Sequence, residues 1–85
     1  MKKILVQNFI NDEVRDCPYP EKCLVYIFTG SGSFICRGTG TESMEFLGEY
    51  LVLKGAVANA NMKVEKTAIS YDHISAVSVN NKSEG

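Results

Sequence analysis

The sequence predicts a mainly β protein: a small, five-stranded, strongly bent sheet or barrel preceded by one N-terminal helix. Short runs of β-branched and aromatic residues alternate with turn-forming residues, which is typical of a small all-β domain. Gly38 and Gly40, two residues apart, indicate a sharp bend within the second strand. At 85 residues the chain has room for one domain, 1–85, whose β core spans 23–79. The predicted strands lie near residues 23–29, 33–41, 49–57, 62–69 and 74–79.

The N-terminal segment, residues 1–16, is predicted to be the helix. Apolar side chains recur there at the i, i+4 spacing of one helix face, at Leu5, Val6, Phe9, Ile10 and Val14. We predict a helix over about Lys3–Arg15, with a strand over Ile4–Phe9 as the alternative. Pro18 and Pro20 restrict the residues before them, so the segment that follows the helix is a connector.

The remaining elements follow from local composition. Residues 23–29 are apolar on both faces and rich in strand formers, so they form the clearest strand. Gly30–Ser33 supplies the residues of a tight hairpin turn. Residues 62–69 begin with the alternation of a half-buried strand, and a short turn separates them from the last strand, 74–79. The polar tail, residues 80–85, is predicted to fray.

Residues 42–53 can be interpreted in two ways. A helix would enclose Gly48, which costs about 1 kcal/mol relative to alanine. The preferred interpretation is a turn at Phe46–Gly48 followed by a strand over Glu49–Ala56, because Tyr50–Leu53 is short, apolar and rich in strand formers. The helix alternative stays open, and it would make the chain a small α/β regulatory domain.

Charge and hydropathy argue against the simplest nucleic-acid and membrane functions. The chain has 9 Lys and Arg against 10 Asp and Glu, for a formal net charge of −1. It therefore lacks the basic excess that attracts a phosphate backbone. No apolar run approaches the ~20 residues of a membrane span. Since Ile4–Val6 is also shorter than the ~7–15 apolar residues of a signal peptide, we expect a cytoplasmic protein that does not act at a membrane.

The three cysteines are expected to be reduced and to bind no metal. Cys17, Cys23 and Cys36 are an odd set, and a chain expected in the cytoplasm rarely holds disulfides. Structural zinc ligands come as two closely spaced pairs, whereas here one loose pair is joined only by Cys36 and the distant His73. Cys23 and Cys36 are therefore predicted to be small buried residues of strands.

No set of residues matches a catalytic centre, so we predict that the protein is not an enzyme and uses no cofactor. Asp72, His73 and Ser75 are near neighbours in sequence, whereas the members of a catalytic triad usually come from separate loops. Adjacent Asp and His side chains in a turn more often hydrogen-bond the backbone. The glycine-rich turns lack the remaining residues of phosphate-binding motifs, so turn formation explains them.

The segment Tyr71-Asp72-His73-Ile74-Ser75-Ala76-Val77 is similar to a turn and strand of bacterial Hfq, Tyr-Lys-His followed by Ala-Ile-Ser-Thr-Val. Together with the predicted order of elements, it makes residues 23–79 resemble the Sm-like fold of the Hfq and LSm proteins. The resemblance implies a ring assembled by edge pairing of strands four and five. Only Tyr71 and His73 carry over by position, because Asp72 stands where Hfq has a lysine that helps to bind uridine-rich RNA. The Asp…Asn pair of Sm-type loops is absent from residues 42–49.

The predicted function is a self-associating interaction module, because so short a chain can hardly cover the edges of its own sheet. The principal predicted partner is a second copy of the chain, in a homo-oligomer. The alternative is an Sm-like protein that binds single-stranded RNA through Tyr71 and His73, with Lys63 and Lys66 as further cations.

Overall fold

The computed structural model describes residues 1–18, 22–37, 43–59 and 61–81. Over these residues the chain forms one α-helix and eight β-strands, so the mainly β fold class with an N-terminal helix is confirmed. A 3₁₀ turn at Tyr71–His73 separates the last two strands. In chain order the elements are α1 (Lys3–Arg15), β1 (Cys23–Thr29), β2 (Gly32–Arg37), β3 (Met44–Phe46), β4 (Tyr50–Lys54), β5 (Val57–Ala58), β6 (Met62–Lys63), β7 (Lys66–Ser70) and β8 (Ile74–Asn81).

The strands form two antiparallel sheets that a bent hairpin connects. The five-stranded sheet has the order β6-β5-β2-β1-β8, and the three-stranded sheet has the order β3-β4-β7. Two backbone hydrogen bonds bridge the bend: the Gly55 amide donates to the Glu65 carbonyl at 3.0 Å, and the Val64 amide donates to the Ala56 carbonyl at 2.9 Å. Gly55 has φ +70, a conformation that other residues rarely adopt, so a glycine suits the bend. The predicted strand at 49–57 is thus divided into β4 and β5, and the predicted strand at 62–69 is divided into β6 and β7.

The first two predicted strands agree with the structure over the residues that can be compared. The predicted strand at 23–29 coincides with β1, and the hairpin turn joins it to β2 through the pair Thr29 and Gly32. Gly32 lies against Asn59, whose side-chain oxygen occupies the space that a Cβ would need. The C-terminal part of the predicted second strand, 38–41, with the bend proposed at Gly38 and Gly40, lies outside the described residues.

The helix considered for residues 42–53 is wrong for residues 44–53, which form a hairpin of β3 and β4. Met44, Leu51 and Leu53 are 4%, 0% and 0% exposed, and Val52 is 8% exposed, so the middle of β4 is buried on both of its faces. The turn predicted at 46–48 begins later than expected, because Phe46 is still part of β3 and pairs with Leu51 of β4.

The last strand is longer than predicted. Residues 80 and 81 belong to β8, where they pair with Leu24 and Cys23 of β1, so the prediction that they fray is wrong. Polar composition suggested a tail there, but the neighbouring strand supplies a hydrogen-bonded ladder as far as its own first residue. Residues 82–85, the rest of the predicted tail, lie outside the described residues.

The hydrophobic core lies between the two sheets and is covered by one face of α1. The predicted helix bounds are confirmed, but the predicted apolar face divides in two. Val6 and Ile10 are 0% and 2% exposed and join the core, whereas Leu5 and Phe9 are 56% and 41% exposed. The buried core residues are Val6, Ile10, Val25, Ile27, Cys36, Met44, Leu51, Leu53, Ala56, Ile69, Tyr71 and Ile74.

Candidate interaction site at the sheet edges

Four of the described strands lie at the ends of the two sheets, and their edges differ. β3 and β6 have three and two residues, and β7 has five. Each of these three strands carries a charged residue: Glu45 in β3, Lys63 in β6 and Lys66 in β7. Glu45 also forms an ion pair with Lys54 at 3.5 Å. Short length and charge are two ways in which proteins protect an edge from pairing with another chain.

β8 has neither form of protection. It has eight residues, Ile74–Asn81, and contains no charged residue and no proline. It pairs with β1 on one side and is the outermost strand of its sheet on the other. A long, uncharged edge strand presents a row of backbone donors and acceptors to any strand that can reach it. This edge is therefore the strongest candidate for an interaction site.

The start of β8 is held in place by polar contacts. Ser75 is the extra residue at a bulge where the register with β1 shifts, and its hydroxyl donates to the Phe28 carbonyl at 3.1 Å. The Met1 ammonium group donates to the carbonyls of Tyr71 and Ile74, both at 2.8 Å. Farther along the strand, Ala76, Ser78 and Asn80 are exposed. The open part of the edge therefore begins after the bulge.

An open groove of about 520 Å³ runs beside β7, on the other side of the 3₁₀ turn. Phe34 of β2 and Ile69 of β7 contribute apolar wall, while Ser70 accepts a hydrogen bond from the Asp72 amide at 3.3 Å. The lining residues are Thr29, Gly30, Ser31, Phe34, Ala68, Ile69, Ser70, Asp72 and His73. The contribution of Phe34 and of the β1–β2 turn was missed from the sequence, because it depends on how the two sheets fold over each other.

The turn divides its side chains between the core and the surface. Tyr71 is 5% exposed, and its hydroxyl donates to the Leu47 carbonyl at 2.7 Å. Burial raises the pKa of the Tyr71 phenol above its ordinary value. Asp72 and His73 are exposed and border the groove. Tyr71 therefore anchors the turn to the β3–β4 hairpin, and its ring has little free surface on which a nucleotide base could stack.

The two lysines considered for RNA binding lie elsewhere. Lys63 pairs with Val57 in the five-stranded sheet, and Lys66 pairs with Lys54 in the three-stranded sheet. Lys66 borders a different groove, of about 390 Å³, which His73 does not line. The residues considered for RNA binding are thus not gathered into one site.

Cys17 and Cys23 form a disulfide, which corrects the expectation that all three thiols are reduced. Their Cα atoms are 6.6 Å apart, and the bond links the segment after α1 to the first residue of β1. The cytoplasmic location stays a prediction. Cys36 is a free cysteine and is 4% exposed. Burial raises the pKa of its thiol to about 12, so the thiol stays protonated and unreactive at neutral pH.

Within the described ranges, no three His, Cys, Asp or Glu side chains are grouped so that they could hold a metal ion. No α-helix in this part of the chain is long and apolar enough to cross a membrane. The chain matches no protein-family model, no curated protein and no solved structure. The properties of the edges are thus the basis for a functional proposal.

Proposed function

We propose that the chain is a self-associating module whose copies join by pairing the outer edge of β8 with the outer edge of β7 in the next copy. The observation that carries this proposal is the absence of charge and proline from β8, Ile74–Asn81, at the end of its sheet. Backbone pairing would satisfy the edge groups that the fold leaves to solvent.

The properties of β7 make it a suitable partner strand for β8 of another copy. It is an outermost strand, its only charged residue, Lys66, stands at its first position, and the groove beside Ala68–Ser70 leaves room for an approaching chain. The resemblance to Sm-like proteins implies the same pair of edges. The proposal extends that resemblance to this chain, which has an N-terminal helix and a 3₁₀ turn before its last strand.

Pairing two different edges has a consequence for the size of the assembly. Because β7 and β8 are different surfaces, each copy would leave one edge free until a ring closes or a filament grows. The proposed assembly therefore contains more than two copies. A chain of this kind would act by presenting repeated surfaces to partners, and the prediction that it has no catalytic activity of its own is retained.

The test places charge on the exposed side of β8. Ala76 and Ser78 are both exposed, so the double variant Ala76→Lys/Ser78→Lys should fold but should resist pairing at this edge. Its mass, measured by light scattering coupled to gel filtration, should fall to two copies or fewer. The control Asn11→Lys/Asn61→Lys adds the same charge at exposed positions outside both edges and should keep the mass of the unmodified protein. An edge variant that also keeps that mass would refute the proposal.

RNA binding is the weaker proposal. Asp72 is exposed in the turn beside His73, where it would repel a phosphate group. At a separation of about 5 Å this repulsion is on the order of 1–3 kcal/mol for effective dielectric constants of about 20–80. We therefore expect little binding to a uridine-rich oligonucleotide at physiological salt. Fluorescence anisotropy should detect a gain, steeper in salt, for Asp72→Lys; tight, salt-sensitive binding by the unmodified protein would put RNA binding first.

A further inference from the structure

The outer surface of α1 carries an apolar stripe that the fold leaves uncovered. Leu5 and Phe9 are one turn apart, about 40° around the helix axis, and are 56% and 41% exposed. Val6 and Ile10, one residue farther along, already supply the contact with the core. The stripe therefore lies outside the buried core and keeps a large exposed surface.

Charges of opposite sign flank this stripe. Lys2 lies just before α1 and is exposed, while Asp12 and Asp16 follow Leu5 and Phe9 by seven residues and so lie on the same side of the helix. Arg15 pairs with Asp12 at 3.1 Å and approaches Asp16 at 3.9 Å, but all three side chains are largely exposed. The outer face thus runs from positive through apolar to negative.

This polarity does not stabilise the helix itself. A helix prefers acidic residues in its first turn and basic residues in its last turn, because of its dipole. Here the first turn has no acidic residue, Lys2 and Lys3 stand at the N-terminal end, and Asp12 and Asp16 stand at the other. Arg15, in the last turn, is the one basic residue there and pairs with both aspartates. Lys2 and Lys3 also border a groove that Glu49 and Asp72 line, so two acidic residues of the same chain lie near the positive end.

We propose that the outer face of α1 docks against α1 of a second copy in antiparallel orientation, as a two-fold symmetric contact. With the two-fold axis beside Gln7, Leu5 of one copy meets Phe9 of the other, and Lys2 meets Asp12. The pattern is self-complementary in this orientation alone, since a parallel pair would bring like charges together. The dipoles of the two helices are then also opposed. This contact uses residues of α1 and not of β7 or β8, although α1 packs against β8.

The contact should be weak by itself. A helix of 13 residues is about 20 Å long, and a single pair of such helices buries less than the ~1,200 Å² of a typical stable interface. A dimer through α1 should therefore dissociate on dilution when it is the only contact. In the full assembly it would join two edge-paired units, where several copies of the contact act together.

The test starts from the edge variant Ala76→Lys/Ser78→Lys, in which α1 is the remaining contact. This protein should form a concentration-dependent dimer in sedimentation-equilibrium measurements. Adding Leu5→Ser/Phe9→Ser should give a monomer across the same concentrations. The control Ile4→Ser should keep the dimer, because Ile4 is 58% exposed but lies about 100° from Leu5 around the helix. Circular dichroism on each variant checks that the helix is retained.

Charge reversal tests whether the two α1 helices are antiparallel and whether the partner is a second copy of this chain. Lys2→Glu and Asp12→Lys should each weaken the dimer about tenfold, because two exposed pairs become repulsive. Combining the two substitutions in one chain, or mixing the two single variants, should restore it. The proposal is overturned if the edge variant is monomeric at every concentration, if Leu5→Ser/Phe9→Ser leaves the dimer intact, or if the combined reversal gives no recovery. Failure of the edge proposal would appear separately, as an edge variant that keeps the full mass.

Discussion

The inward and outward sides of two elements, α1 and the 3₁₀ turn, differ in what their residues do. On α1, Val6 and Ile10 enter the core, while Leu5 and Phe9, of similar hydrophobicity, remain on the surface. In the turn, Tyr71 is buried while the adjacent His73 is exposed. The inward residues account for the fold, and the outward ones remain available for contacts with other molecules.

The largest expected effect comes from removing an inward side chain. Ile10→Ala deletes buried atoms between α1 and the sheets and should lower the free energy of unfolding by about 3 kcal/mol. Phe9→Ala, on the adjacent outward position, should change it by less than about 1 kcal/mol. Urea unfolding followed by circular dichroism at one protein concentration gives both values. Equal losses for the two variants would mean that the two faces of α1 are not different in this way.

The disulfide is expected to have the next largest effect, because it fixes the C-terminal end of α1 beside β1. Reduction should destabilise the fold by about 2 kcal/mol, the loop-closure entropy expected for a sequence separation of 6. The melting temperature should fall when a reductant is added. In Cys17→Ser it should already be low and should not respond to the reductant. If the reductant does not change the melting temperature of the unmodified protein, the disulfide between Cys17 and Cys23 is contradicted.

Alkaline pH should reveal the buried thiol. Burial raises the pKa of Cys36 from 9.0 to about 12, because the thiolate cannot be solvated in the core. The stability due to the neutral thiol is complete below pH 9.0 and is lost at about 1.4 kcal/mol per pH unit between pH 9.0 and 12. Cys36→Val should have a shallower loss over this range. An identical pH profile for the two proteins would show that Cys36 is not buried as described.

The smallest effect concerns the hydroxyl of Tyr71. Tyr71→Phe removes its hydrogen bond to the Leu47 carbonyl and should cost about 1 kcal/mol. His73→Ala, two residues along on the outward side, should change stability by less than about 0.5 kcal/mol. Thermal unfolding of both variants measures the difference. A greater loss for His73→Ala would reverse the inward and outward assignments within the turn.

Local sequence patterns predicted much of the fold. The helix bounds Lys3–Arg15 followed from apolar spacing and from the prolines after it, and β1 followed from a run of strand formers. The same apolar spacing could not separate Val6 from Leu5, because both faces of α1 are apolar. Which face meets the core depends on how the helix lies across the sheets, and that is a property of tertiary packing.

The interaction site was less accessible to sequence reasoning. Self-association was predicted from the size of the chain, and the pair of edges was implied by the resemblance to Sm-like proteins. The residues alone do not give the strand order, which places β8 outermost and encloses β1 between two neighbours. Tyr71 was considered as a ligand-binding residue because it carries over from the Hfq turn, and its burial depends on the position of Leu47, 24 residues earlier. Distant pairings of this kind leave little signal in a single sequence.

The most direct test of the proposed self-association is the mass of the unmodified protein, measured by light scattering coupled to gel filtration over a series of concentrations. Pairing of β8 with β7 predicts more than two copies of the 9.4 kDa chain, with the mass holding steady or rising as concentration increases. A mass near 9.4 kDa at every concentration would contradict it.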